Sequence, residues 1–338
     1  MRPEVMAVST QTLPLVGVMI GDPAGVGPEV CVRAISTGEL AALCRVVLIG
    51  DRAVLERAAK VCDIKLKFEV VNDLDNLANL ANLAHGESVY VIDPGTFDVG
   101  RSTFGVASAA AGEAVLEWLT LGEQLGRAGK LQGLVLGPME TASMKATGKV
   151  HDMDDLQPAS TFMLRMNGNL RVVPLSEHVP LSTAIGMVKP DRVLHVVRLV
   201  HETLTRWGFT KPRIAVAGIN PHAMFPEDQE KIAPAVAAAR DEGIEVQGPL
   251  VPDTVFRHTL EGRHDVVVTM FHDQGQIPIK TGAFEGACTV YIGLPFVMLN
   301  VPHGTAYDIA GKGLAQHLSM LSAIRTAATL ASGNPIAI

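Results

Sequence analysis

The stretch Asp265–Lys280, DVVVTMFHDQGQIPIK, begins as an apolar run and turns abruptly polar at His272 and Asp273. A short apolar run rich in β-branched residues and bounded by polar residues predicts a strand that is buried on both faces. Such strands are typical of open α/β sheets, in which ligands bind beyond the carboxyl ends of the strands. A histidine and a carboxylate at this position therefore indicate a functional site at the edge of a sheet.

Apolar runs alternate with amphipathic stretches through the rest of the chain. LPLVGVMI precedes the helical pattern PEVCVRAISTG, and CRVVLIG precedes the helical pattern RAVLERAAKVC. Alternation of this kind predicts βα units and a mostly parallel sheet. We therefore assign the chain to the α/β class.

The length of the chain favours two lobes. Domains usually contain roughly 100–200 residues, and this chain has 338. We predict that the chain crosses between lobes near Gly137 and returns near Gly304. Residues 1–136 and 305–338 would then form the first α/β/α lobe and residues 137–304 the second, with a cleft between them.

Composition and charge restrict the kind of function. The net charge is −7 without a Lys/Arg run, which excludes the electrostatic footprint of a nucleic-acid binder. No apolar run reaches the ~18 residues of a membrane span, and we expect no export signal at the N-terminus. The four cysteines form no C-x-x-C motif, so no disulfide framework is expected. We expect a cytoplasmic protein that acts on a small molecule, without nucleic-acid or membrane partners.

Three histidines, His178, His222 and His272, each lie at or just beyond the end of an apolar run. Three neutral imidazoles at one sheet edge can bind a divalent cation and leave open positions for substrate oxygens. Any one of them alone is better explained as a strand cap or a loop hydrogen bond, but the three together favour a metal. Asp253 and Asp273 are candidates to orient these rings or to contact the metal directly, although a helix cap or Asx-turn explains Asp253 equally well.

Three further features suggest where ligands could bind. Lys280 could bind an anionic group or transfer a proton, and the alternative is a solvated lysine. The loop Gly21–Glu29, GDPAGVGPE, lacks both G-x-G-x-x-G and a Walker lysine, so we interpret it as a strand-to-helix turn that lines the cleft. The segment His303–Gly313, HGTAYDIAGKG, has small residues that allow the backbone to approach a flat ligand.

HGTAYDIAGKG resembles the cofactor loop of the isocitrate and isopropylmalate dehydrogenase superfamily. Together with GDPAGVGPE, HVPL, INPHA, VPDTVF, FHDQGQIPIK and GLPF, it makes the chain similar, over nearly its whole length, to the 4-hydroxythreonine-4-phosphate dehydrogenase family, which includes terephthalate dihydrodiol dehydrogenases. The resemblance implies two α/β/α lobes, a homodimer with its active site at the interface, and a divalent metal on the three histidines, with Zn favoured over Mn, Co, Mg or Fe. It also implies an NAD site formed by His303, Gly304, Thr305, Ala306 and Asp308.

The chain departs from the phosphate-specific members of this family. Ala159 and Ser160 stand where those members have a substrate-binding His-Thr pair, and Thr289 replaces an asparagine. Met298 replaces an arginine, and Pro302 an aspartate. Loss of a guanidinium removes the bidentate, charge-assisted contacts that bind phosphate well. These departures predict a substrate without phosphate.

The segment GPMETASM resembles the terephthalate branch of the family, and Met298 would suit a ring. We therefore predict metal-dependent, NAD-linked oxidation of a secondary alcohol near a carboxylate, with decarboxylation, on a carboxylated cis-dihydrodiol. One alternative substrate is 4-phosphohydroxy-L-threonine or a related four-carbon acid phosphate. Another alternative is a non-catalytic metabolite sensor, which the retained histidines and cofactor loop disfavour. The predicted catalytic residues are Lys280, Asp253 and Asp273, and the predicted substrate-binding residues are Ala159, Ser160, Lys280, Thr289 and Met298.

Overall fold

The computed structural model describes residues 13–81, 88–282 and 288–335, and it confirms the predicted α/β class. The strands are β1 Leu15–Met19, β2 Arg45–Ile49, β3 Lys67–Val70, β4 Ser88–Ile92, β5 Gly133–Leu136, β6 Phe162–Asn167, β7 Leu170–Pro174, β8 Ile214–Ala217, β9 Val246–Leu250, β10 Val266–Thr269, β11 Cys288–Ile292 and β12 Val297–Asn300. The α-helices are α1 Gly27–Ser36, α2 Arg52–Val61, α3 Ala78–Ala81, α4 Ala109–Arg127, α5 Thr141–Ala146, α6 Leu181–Met187, α7 Pro190–Arg206, α8 Ala233–Asp241, α9 Val255–Leu260, α10 His272–Gly282 and α11 Leu318–Ala331.

The strands form one continuous sheet in the order β3-β4-β2-β1-β5-β12-β11-β6-β7-β10-β8-β9. The block β3-β4-β2-β1-β5-β12 is parallel throughout, as is the block β7-β10-β8-β9. Antiparallel pairing of β12 with β11, β11 with β6, and β6 with β7 joins the blocks, so the two blocks run in opposite directions. The lobe boundaries near Gly137 and Gly304 stay a prediction.

The apolar run of Asp265–Lys280 forms β10, whose four residues are all buried. β10 pairs with β7 at one edge and with β8 at the other, so it is an interior strand of the sheet, and α9 and α10 pack against it. The polar residues that follow it begin α10 at His272. The break in the sequence pattern therefore marks the point where the chain leaves the core and starts a helix beyond the carboxyl end of the strand.

The turn Gly21–Glu29 joins β1 to α1 through glycines that allow close backbone contacts. Gly21 has a φ of +81°, and a Cβ there would lie 2.5 Å from the Pro138 carbonyl oxygen. A Cβ on Gly27 would lie 2.3 Å from the Ile20 carbonyl oxygen. Pro28 occupies the first turn of α1, where its missing N–H costs nothing. The turn predicted from the sequence is therefore tight and packed against the loop after β5.

Among the helices that the structure describes, none combines the length and the apolar character that crossing a membrane requires.

Candidate functional site

The three predicted histidines follow strands that are neighbours in the sheet. His178 follows β7, His272 follows β10 and His222 follows β8, and these strands lie in the order β7-β10-β8. The rings of His178 and His272 have their centroids 5.0 Å apart, with an angle of 57° between the ring planes. Parallel strands thus place two of the histidines side by side at one sheet edge.

A carboxylate orients each of these two rings. His178 Nδ1 lies 2.7 Å from Asp154 Oδ2, and His272 Nδ1 lies 2.7 Å from Asp273 Oδ1. This pairing leaves Nε2 of each ring for a ligand, which is the arrangement by which carboxylates orient metal-binding histidines. Asp273 had been identified from the sequence, whereas Asp154 had not. The only signal for Asp154 was the acidic segment HDMDD before β6.

Glu177 is the third potential ligand beside the two histidines. Ligand atoms of Glu177, His178 and His272 all lie within 4.8 Å of one another. Two imidazoles and one carboxylate form a donor set that suits Zn²⁺ and other divalent transition metals. Since metal–nitrogen distances are about 2.0–2.1 Å, a bound cation would draw these donors closer together, and the chemistry of the three side chains fits a divalent cation.

His222 lies outside this group of three within the part of the chain that the structure describes. Its φ of 59° is left-handed, and its side chain is exposed. The buried carboxylate of Asp228 holds the loop before it by accepting a hydrogen bond from the Ile219 amide at 2.7 Å. Gln274 on α10 donates to the Gly218 carbonyl oxygen at 2.8 Å. These contacts fix the His222 loop relative to α10, and its role as a metal ligand stays a prediction.

Two other predicted catalytic residues are on the surface. Asp253 lies exposed in the turn before α9, and Lys280 lies exposed in the last turn of α10. Lys280 therefore shares a helix with His272 but is located toward its opposite end. Neither side chain makes a hydrogen bond or ion pair within the described part of the chain that would assign its role, so both assignments stay predictions.

The predicted cofactor loop is held against the turn Gly21–Glu29. The buried Glu29 carboxylate accepts hydrogen bonds from the amides of Gly311 at 2.7 Å and Gly313 at 3.1 Å. The Thr305 carbonyl oxygen accepts from the Val26 amide at 2.9 Å. Nδ1 of His303 lies 3.0 Å from the Gly304 carbonyl oxygen. The other ring nitrogen of His303, Nε2, is buried and has no hydrogen-bond partner among the described residues. The sequence pattern predicts a ligand-binding loop here but gives no signal for Glu29 as its anchor.

A cluster of hydroxyl and carboxyl groups ties the same loop to the ends of β1 and β5. The Tyr307 hydroxyl donates to Asp22 Oδ2 at 3.0 Å and lies 3.1 Å from Ser143 Oγ. The Thr305 hydroxyl donates to Glu140 at 2.6 Å. Burial raises the pKa of the Asp22 carboxyl, and the nearby Glu140 raises it further. Burial likewise raises the pKa of the Tyr307 phenol.

We expect Asp22→Asn to flatten the pH dependence of stability. Because the pKa of Asp22 is raised in the folded protein above its ordinary value of 3.8, its favourable contribution is complete at low pH. This contribution is lost as the pH rises through the folded-state pKa. Urea unfolding of both proteins at several pH values measures the effect. An equally steep decline above pH 4 in Asp22→Asn would show that other groups cause it.

The predicted substrate-binding residues are in different environments. Ala159 and Ser160 are exposed just before β6, and Ser160 has a left-handed φ of 61°. Thr289 on β11 pairs with Arg165 on β6. Met298 on β12 has no exposed surface. The sequence assigned these residues to one site, and this assignment stays a prediction.

Residues 42–327 match the family model of the pyridoxal phosphate biosynthetic protein PdxA. The chain belongs to the PdxA family. It is 42% identical to a putative 4-hydroxythreonine-4-phosphate dehydrogenase from Novosphingobium aromaticivorans, over 96% of this chain and 97% of that one.

Two solved structures are similar over nearly the whole length. A 4-hydroxythreonine-4-phosphate dehydrogenase from Burkholderia phymatum has a TM-score of 0.84 and 33% identity, covering 95% of this chain and 99% of that one. A terephthalate 1,2-cis-dihydrodiol dehydrogenase from Burkholderia xenovorans LB400 has a TM-score of 0.72 and 27% identity, covering 96% and 99%. The predicted family is thus confirmed, together with the α/β class.

The prediction of a non-phosphorylated dihydrodiol substrate is wrong. The PdxA relatives named for a phosphorylated substrate are more similar in sequence and in structure than the terephthalate enzyme. The error has a physical cause, because Met298 was interpreted as an apolar pocket wall. The side chain is fully buried in β12, so packing in the core explains its apolar character without a ring-shaped ligand.

Proposed function

We propose that this chain is an NAD-dependent dehydrogenase that oxidises the secondary hydroxyl of a four-carbon phosphorylated acid of the 4-hydroxythreonine 4-phosphate type. Its PdxA relatives are named 4-hydroxythreonine-4-phosphate dehydrogenases. The observation that carries the proposal is the pair His178 and His272, each with a carboxylate on Nδ1, at the carboxyl ends of adjacent strands.

His178 and His272 would hold a divalent cation, with His222 as a further ligand. A cation bound there acts as a Lewis acid, which lowers the pKa of a substrate hydroxyl and stabilises developing negative charge. Asp154 and Asp273 hold the imidazoles in one orientation, so little side-chain freedom is lost when ligands bind. The exposed ammonium of Lys280 would contact the substrate carboxylate or relay a proton.

NAD would bind at His303, Gly304, Thr305, Ala306 and Asp308 and would accept the hydride. The fixed contacts of Thr305 with Val26 and Glu140 would position this loop before the cofactor arrives. In a substrate of this type the new ketone lies β to the carboxylate, and such acids lose carbon dioxide readily. Oxidative decarboxylation is therefore part of the proposal.

A second copy of the chain would complete the site. The cavity beside Glu177, His178 and His272 measures about 180 Å³, whereas sites for small ligands usually measure about 300–1,000 Å³. Large apolar side chains near the histidines are exposed, which is typical of interfaces: Val179, Leu181, Ile185, Met224 and Phe225. We propose a homodimer that covers them and brings His222 of one copy toward the site of the other.

A cytoplasmic location stays a prediction.

We expect the purified protein, supplied with NAD⁺ and Zn²⁺, Mn²⁺, Co²⁺ or Mg²⁺, to form NADH from 4-phosphohydroxy-L-threonine. The matched control is 4-hydroxy-L-threonine without phosphate, for which kcat/KM should be at least about 100-fold lower, equivalent to about 2.7 kcal/mol of lost binding. Equal kcat/KM for both compounds would contradict a phosphorylated substrate. NADH formation from none of the four-carbon acids would instead favour a metabolite sensor.

A further inference from the structure

Glu177 occupies an unusual position between a cation site and an arginine. It directly precedes His178 in the loop after β7, and its carboxylate lies within 4.8 Å of ligand atoms of His178 and His272. Both of its oxygens also accept hydrogen bonds from Arg165, each at 2.8 Å. The two side chains are only 15% and 9% exposed.

We propose that Glu177 is itself a ligand of the divalent cation at His178 and His272, and that Arg165 is the residue that positions it. The inference rests on the cation site of the proposed function. The inference adds a carboxylate from the same protomer to a site whose ligands were predicted from the sequence to be the three histidines. One protomer would then provide three ligands, two imidazoles and one carboxylate, before any contribution from a second copy.

The Arg165 pairing does not prevent Glu177 from binding a cation. An ionised carboxylate has about four acceptor positions on its two oxygens, and the bidentate guanidinium uses one on each. A further position on each oxygen is left for a cation.

Arg165 is itself fixed from three sides. It lies on the buried strand β6, and its Nη2 donates to Met163 Sδ at 3.4 Å. Gln276 on α10, with its amide oxygen turned toward the guanidinium, accepts from Nη2 at 3.2 Å. Arg165 therefore links β6, the loop that contains Glu177 and His178, and the helix that begins at His272. A shift of any of these elements would change the spacing of the ligands.

A purely structural role explains this pair less well. Removing two charges from water costs several kcal/mol per ion, and apolar residues of similar volume often stabilise a core equally well or better. A nearly buried ion pair is therefore weak evidence of stabilisation. Its location, with one carboxylate facing two oriented imidazoles, is better explained by a divalent cation whose charge the carboxylate balances.

Titration of the metal-free protein with Co²⁺ tests the inference, with calorimetry for affinity and visible absorption for coordination. Glu177→Gln keeps the side-chain volume but removes the charge, so the Kd for Co²⁺ should rise at least about 10-fold and the absorption bands should change. Arg165→Lys loses the bidentate geometry but leaves Glu177 in place. Its Kd should rise less than in Glu177→Gln, and the wild-type bands should be retained.

The matched control is Glu242→Gln, which removes a carboxylate from another bidentate pair, between Arg198 on α7 and the exposed Glu242 just after α8. It should bind Co²⁺ like the wild type. If Glu177→Gln does not fold, Glu177→Asp retains the charge with a shorter reach and should also weaken Co²⁺ binding. If the folded Glu177 variant keeps the wild-type Kd for Co²⁺ and the wild-type absorption bands, the inference about Glu177 is wrong, and the cation site of the proposed function still stands. Failure of the wild-type protein to bind Co²⁺ would overturn the cation site of the proposed function as well.

Discussion

Replacing His272 with alanine is expected to lower kcat by at least about 1,000-fold, equivalent to about 4 kcal/mol of transition-state stabilisation, and to release the bound cation. His272 begins α10 beyond the carboxyl end of β10, and its ring lies beside that of His178. Alanine removes a ligand whose orientation Asp273 fixes, and no neighbouring histidine can replace it without moving a strand end. Turnover and metal content after dialysis measure the effect.

The fold of this variant should be intact, because His272 is only half-buried and lies outside the apolar core. His317→Ala is the matched control, since His317 precedes α11 and makes no side-chain capping hydrogen bond. His222→Ala is expected to lose activity and metal as well, if a second copy brings that residue to the site. Full turnover by His272→Ala after chelator treatment would contradict the catalytic role of the cation.

The proximity of His178 and His272 could be predicted from the sequence because it depends on a local pattern. An apolar run that ends at a polar residue locates the carboxyl end of a strand, and parallel neighbours bring such ends together. The ion pair between Glu177 and Arg165 could not be predicted from such a local pattern. It depends on β6 pairing antiparallel with β7, and periodicity within a strand does not specify the direction of its partner.

The predicted cofactor loop is a second case in which a local sequence pattern does not specify a long-range contact. Its small residues identified the segment His303–Gly313, but the anchor, Glu29, lies far from it in sequence, in the first turn of α1. A glutamate near the start of a helix is usually explained by the helix dipole. Only the tertiary structure shows that its carboxylate faces Gly311 and Gly313. The substrate error arose similarly, because burial of Met298 in β12 could not be distinguished from exposure in a pocket.

Replacing Glu29 with alanine is expected to disorder the cofactor loop. Glu29 is fully buried, and its two oxygens accept from the Gly311 and Gly313 amides. Alanine leaves both N–H groups without these acceptors, at about 1–3 kcal/mol for each buried donor. The free energy of unfolding should therefore fall by about 2–6 kcal/mol. The KM for NAD⁺ should rise at least about 10-fold, because the loop must then be ordered when the cofactor binds.

Hydrogen exchange separates loop disorder from general destabilisation. In Glu29→Ala the amides of Gly311 and Gly313 should exchange much faster than those of β1 and β5, which lie in the core. Glu29→Gln keeps one acceptor oxygen and should have an intermediate KM. The surface control is Glu56→Ala, which removes only an exposed pair with Arg52 on α2. An unchanged KM for NAD⁺ in Glu29→Ala, with the same protection of Gly311 and Gly313, would show that the loop is held by Thr305 and Tyr307 without Glu29.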